Sequence, residues 1–105
     1  MKEFEKQILM ELIAASGETA LEISLVDCDE LVEFSGKGYF LTLKSSELPI
    51  HRIVLSKPDV RGKLSGIDVG FIAFIENSEL TFECYSYGEN VSPEDREGKF
   101  HRYAT

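Results

Sequence analysis

Apolar positions along the chain follow two periods, and the change from one to the other outlines the architecture. Over residues 2–16, Phe4, Ile8, Leu9, Leu12 and Ile13 fall on one stripe, which predicts an amphipathic helix. The Glu, Lys and Gln residues between them are good helix formers expected to face water. Ser16-Gly17 supplies the stop, because glycine takes the left-handed conformation that ends a helix without steric cost. From Leu21 onward the period is two. Leu21, Ile23 and Leu25 alternate with Glu22, Ser24 and Val26, and after the polar turn Asp27-Cys28-Asp29-Glu30 the stretch 31–35 places Val32 and Phe34 on one face. Gly36-Lys37-Gly38 turns the chain again, into Tyr39-Phe40-Leu41-Thr42-Leu43-Lys44. Turns this short predict an antiparallel meander, since parallel neighbours need long crossovers.

A β-branched run predicts another strand over 50–56, and residues 57–68, with two glycines and a proline, read as a long loop of the kind that carries function or moves. Residues 69–75 are apolar on both faces, which predicts a central strand covered on both sides. Glu76-Asn77-Ser78-Glu79 makes a tight turn into residues 80–87, where Leu80, Phe82 and Cys84 face one way and Thr81, Glu83, Tyr85 and Tyr87 the other. Ser92-Pro93-Glu94-Asp95 reads as an N-cap, a proline at the first helical position and acids in the first turn, with Gly98 limiting the helix to a turn or two. No repeat or linker interrupts the chain. Residues 1–105 therefore read as a single α+β domain: an N-terminal helix packed on a five- to six-stranded, mainly antiparallel sheet.

Charge sharpens this outline. The 105 residues hold 11 Lys and Arg against 19 Asp and Glu, a formal −8. Residues 1–35 set two lysines against nine acids, net −7; residues 36–63 set six cations against two acids, net +4; residues 64–105 set three against eight, net −5. The basic middle, with Tyr39 and Phe40 nearby, is a candidate contact for a nucleic-acid backbone, but the acidic flanks would repel the same polyanion, so no direct nucleic-acid partner is expected. An anionic membrane surface is disfavoured on the same ground. No apolar run approaches the roughly 20 residues of a transmembrane helix, and the first residues lack a signal-peptide core, so a cytoplasmic location is expected.

Candidate chemistry is sparse. Cys28 and Cys84 lie far apart without CxxC spacing; Cys84 shares a face with Leu80 and Phe82, as a buried structural thiol does, and the acids around Cys28 would blunt a nucleophile. His51-Arg52 and His101-Arg102 pair each imidazole with a guanidinium, which discourages metal binding, and no zinc-ligand spacing is present. Asp27, Asp29 and Glu30 lack the pattern of a calcium loop, and Gly36-Lys37-Gly38 opens a strand where a phosphate cradle would open a helix. These readings leave no catalytic residue, metal ligand or cofactor to expect. Two surfaces stand as candidates for a protein partner: the acids Asp27, Asp29, Glu30 and Glu33, and the alternate residues Glu83, Tyr85 and Tyr87 with Glu89 just beyond. The competing role for the tyrosines is packing on the second face of the sheet, under Phe100 and Tyr103.

The acidic helix over 1–16, the meander after it and the late hairpin Gly70-Phe71-Ile72-Ala73-Phe74-Ile75-Glu76-Asn77-Ser78-Glu79-Leu80-Thr81-Phe82-Glu83-Cys84-Tyr85 give the chain a resemblance, in size, charge and architecture, to the immunity proteins of bacterial toxin systems, contact-dependent inhibition included. The resemblance implies a non-catalytic inhibitor, a monomer or weak dimer. It would neutralise a cognate toxin, often a basic nuclease, by covering its active site or substrate groove. Charge complementarity would speed and orient such an encounter. No functional residue is carried over by it. Two other classes stand beside it: a ligand-binding or enzymatic α+β domain with a pocket between helix and sheet, and a homodimeric module joined through the tyrosine face.

Overall fold

The computed structural model describes residues 1–18, Leu21 and 28–104. Helix α1 (Glu3–Ser16) is followed by strands β1 (Asp29–Phe34), β2 (Gly38–Lys44), β3 (Ile53–Leu64), β4 (Ile67–Glu76) and β5 (Glu79–Ser86), the short helix α2 (Pro93–Arg96) and strand β6 (Phe100–Arg102). The six strands form one antiparallel sheet in the order β1-β2-β5-β4-β3-β6, and α1 packs on one face of it. This is the α+β layer expected from the sequence. The first predicted strand, over 21–26, lies outside the described residues except for Leu21, which is buried in the core.

The sheet's inner face and the helix stripe make the core. Ile8, Leu9, Leu12 and Ile13 of α1 meet Tyr39, Leu41 and Leu43 of β2, Leu80, Phe82 and Cys84 of β5, and Val69, Phe71, Ala73 and Ile75 of β4, all buried. Phe4 stacks on Phe100 at 5.5 Å and meets Phe71 edge-on at 6.1 Å, which seats the start of α1 against the end of the chain. Gly17 ends α1 at φ +80°.

The long loop expected over 57–68 does not exist. Strand β3 runs through it to Leu64, and a two-residue turn at Ser65-Gly66, with φ of +50° and +83°, leads into β4. Two positive φ values in succession give the hairpin turn whose twist matches that of its strands; Asn77 and Ser78, at +53° and +63°, do the same between β4 and β5. What hid the strand is a large bulge. Leu55 pairs with Ala73 and Val60 with Phe71, so residues 56–59 stand opposite Ile72 alone. The strand expected from 50 begins at Ile53, leaving Ile50 73% exposed.

Gly38 fixes the approach of β2 to β5. Its φ is +149°, and a Cβ there would lie 1.9 Å from the carbonyl oxygen of Cys84. Backbone cannot yield as a side-chain tip can. Gly38→Ala is expected to lower stability by about 2 kcal/mol or more, read as a drop in thermal midpoint.

Candidate functional site

The outer face of the sheet differs from the expectation of a doubly covered β4. Among the described residues no element packs on it. The even-numbered residues of β4 that point there, Ile72 and Phe74, are only half-buried, while their odd-numbered neighbours are enclosed beneath α1. The register sets out what the face carries. Leu31, Thr42, Thr81, Phe74 and Val54 form one row across five strands; Glu33, Phe40, Glu83 and Ile72 form the next; Gly38, Tyr85, Gly70 and Arg61 form a third. Leu31 and Val54 are about half exposed, as is Tyr87 at the end of this surface. Apolar side chains thus lie open to water across the breadth of a sheet.

In the sequence the acids of β1 and the tyrosine strand are separate candidates, and the fold partly merges them. Asp29 and Glu33 point to the outer face, and the pairings Glu33↔Phe40 and Phe40↔Glu83 place Glu33 and Glu83 in one row with a phenyl ring between. Glu30 points to the helix side, where it accepts a bond from the Met1 amino group at 2.6 Å. Asp27 lies outside the described residues. Glu89 is exposed beyond the end of β5, and its carbonyl accepts the Ser86 hydroxyl at 2.5 Å.

Aromatic geometry orders one end of the face. Tyr85 and Tyr87 meet edge-to-face at 5.6 Å, and the Arg61 guanidinium lies 5.3 Å over the Tyr87 ring. The Tyr85 ring lies across Gly70, where a Cβ would come within 2.5 Å of it, so the glycine gives the ring its seat. Burial first, then the neighbouring Tyr87 hydroxyl, pushes the Tyr85 phenol up to about 12. The proposed cover for this face is divided: Phe100 lies on the inner side against Phe71 at 5.2 Å, and Tyr103 lies on the outer side with its hydroxyl donating to Asp68.

Charge on the outer face is unevenly matched. Its cations are paired: Lys44 with Glu79 at 3.2 Å, Arg52 with Glu76 at 3.5 Å, Arg61 with Asp59 at 3.0 Å and Lys63 with Asp68 at 3.2 Å. Four of the six cations in the basic middle of the sequence are thus paired with acids of the fold. Glu33 and Glu83 have no hydrogen-bond or ion-pair partner among the described residues. Partial burial among apolar neighbours pushes the Glu83 carboxyl above the usual carboxylate range. Because the folded protein disfavours the ionised form, stability falls as pH rises from the unfolded pKa through the folded one. Glu83→Gln is accordingly expected to hold or raise the thermal midpoint at pH 7, by up to about 4 °C, with the gain absent at pH 4. A midpoint lowered by Gln would place a hidden partner on this carboxylate.

A second polar cluster, missed in the sequence, lies on the inner side. Glu5 is fully buried, although it was expected to face water. Its carboxylate takes two bonds from Arg96, at 2.8 Å each from Nε and Nη2, one from the Tyr39 hydroxyl, and one from the Lys2 backbone N–H at 2.7 Å. The Arg96 guanidinium also lies 5.4 Å over the Tyr39 ring. Burial pushes the Glu5 carboxyl up, but the bonds from Arg96, Tyr39 and Lys2 outweigh it and hold the pKa below the ordinary range. Burial raises the Tyr39 phenol and lifts the Cys84 thiol to about 12, so both stay protonated at neutral pH. No buried polar side-chain atom among the described residues lacks a partner. The cluster uses its hydrogen-bonding capacity internally and ties α1 to α2 and β2. The signal was present: Glu5 stands three and four residues before Ile8 and Leu9, on the buried stripe.

Two clefts mark the surface. One, of about 160 Å³, lies between the last turn of α1 and Val54, Leu55, Ser56 and Lys57. The other, of about 250 Å³, is lined by Asp59, Arg61, Arg102 and Tyr103, where Arg102 is paired with Glu11 at 2.5 Å. Neither reaches Glu5, Tyr39 or Cys84. His51 is exposed. Among the described residues no three His, Cys, Asp or Glu side chains converge as a metal set, and no helix is long and apolar enough to cross a membrane. Compared with known protein-family profiles, curated proteins and solved structures, the chain matches none.

Proposed function

We propose that this chain is a non-catalytic protein-binding inhibitor of the immunity-protein kind, which neutralises a basic bacterial toxin, a nuclease, by laying the outer face of its sheet over the toxin's active site or substrate groove. The observation that carries this reading is Glu83: a carboxylate with no counter-ion among the described residues, flanked by Phe40, Ile72 and Tyr85 on a sheet face that no described element covers. Such a group costs stability in the free protein, a cost that a cation from a partner would offset. Net charge of −8 steers the encounter toward a basic surface.

The size of the face suits the role. Six strands at about 4.8 Å spacing and seven or eight residues at about 3.3 Å give roughly 600 Å² of plane before side-chain relief is counted. A standard interface takes about 800 Å² from each partner. The sheet's edges, by contrast, carry the devices that prevent strand addition: Lys57, Pro58 and a bulge on the free half of β3, and Asp29, Glu30 and Glu33 on β1. Docking through the face, not along an edge, follows.

The test is co-production with the growth-inhibitory product of the neighbouring gene. Restored growth and a 1:1 complex are expected. Neighbouring genes that encode only metabolic enzymes, or a toxic product that the chain neither binds nor silences, would overturn the reading.

A further inference from the structure

Resting on this reading of the outer face, we infer that its partner docks through two cationic side chains about 10 Å apart with an apolar side chain between them, set on Glu33, Phe40 and Glu83. The three residues are register neighbours on β1, β2 and β5, so the row alternates acid, ring, acid, and Ile72 on β4 continues it with an apolar position. Adjacent strands are about 4.8 Å apart, which puts the two carboxylates about 10 Å from one another with the Phe40 ring midway.

That spacing selects among ways a partner can present cations. On a helix, residues seven apart lie on one face about 10.5 Å from each other, and the residue three or four on lies between them. On a strand, same-face residues stand about 7 or 13 Å apart, and neither distance fits. Among single chain segments the match is a helix with Arg or Lys at i and i+7 and an apolar residue at i+3 or i+4; an apolar residue at i+10 would reach Ile72. Arginine suits both carboxylates better than lysine, since its fork can take both oxygens of one carboxylate while its plane rests on the Phe40 ring. The face's own cations cannot satisfy the pair, because each already holds an acid.

The probe is a pair of synthetic 18-residue helical peptides of identical composition, one with arginines at positions 5 and 12 and leucines at 8 and 15, the other with the arginines moved to 5 and 9. Each is titrated into the intact protein and followed by NMR at low salt. The first peptide is expected to bind at least fivefold more tightly, to shift the Ile72 methyl, and to lose at least threefold in affinity with E33Q and with E83Q; in the double variant the two peptides should bind alike. Equal affinity of the two peptides, no binding by either, or indifference to both substitutions would overturn the inference. These outcomes are independent of the toxin. Spacing preference in the peptides with no silenced toxin would remove the inhibitor reading alone; a silenced toxin with no spacing preference would remove this inference alone.

Discussion

Arg96→Ala is expected to cost about 3–5 kcal/mol of folding stability, the largest loss of any single surface-reaching side chain in the molecule. Arg96 is only 12% exposed, and Glu5 is not exposed at all. Removing the guanidinium leaves a buried carboxylate with only the Tyr39 hydroxyl and the Lys2 N–H as donors. Replacing both partners with apolar groups of similar volume, as in Glu5→Leu with Arg96→Met, should recover most of the loss, because the cost lies in the stranded charge more than in the missing attraction. Urea titrations of the two single variants and the double variant check this. A loss under 1 kcal/mol for Arg96→Ala would mean that the first helix and the chain's end are not bolted together by this pair.

The same pair sets an acid limit. The Glu5 pKa is held below its unfolded value, so between the two values the unfolded chain binds more protons, and stability rises with pH there. Its contribution is complete above the ordinary carboxylate range, near pH 4.5, and disappears as pH falls through the lowered folded pKa. Urea midpoints measured from pH 7 down to pH 3 should therefore drop below about pH 5, and the drop should be shallower in the Glu5→Leu, Arg96→Met protein.

Glu83→Lys is expected to weaken the complex with the proposed basic partner at least 100-fold, while leaving the free protein folded. Reversal removes the acceptor for the partner's cation and sets a like charge against it in a desolvated patch, a change worth about 2–5 kcal/mol. Glu3→Lys alters net charge equally, but Glu3 is exposed on α1, on the opposite side of the sheet. It should slow association modestly and change affinity less than threefold, because distant charge acts on the encounter rate and is screened by salt. Equal losses from the two variants would mean that net charge, and not the outer face, governs binding.

The sequence made some of this legible and concealed the rest for identifiable reasons. The α1 stripe, the inward Cys84 and the Ser92 cap were readable because each rests on local periodicity or a local hydrogen bond; Ser92 does cap α2, accepting the Asp95 N–H at 3.2 Å. The course of β3 was not. Its inward residues are odd-numbered through Leu55 and even-numbered from Val60, so the bulge erases the alternation that announces a strand. The Glu5–Arg96 pair joins residues 91 apart, and no local pattern links them. The openness of the outer face is hidden in the sequence for a different reason. Ile72 and Phe74 are apolar whether a strand is covered by its own chain or by another protein, and the alternation pattern is the same in both cases.

The outer face of the sheet is the proposed working surface, and isoleucine, leucine and valine methyl spectra of the protein with and without its proposed partner test this most directly. Ile72, Val54 and Leu31 report on that face; Ile13 and Ile75 report on the buried core beneath α1. Binding is expected to shift Ile72, Leu31 and Val54 strongly and to leave Ile13 and Ile75 nearly in place. A complex that leaves the Ile72 methyl unmoved, with its shifts gathered on the exposed side of α1, would contradict the account.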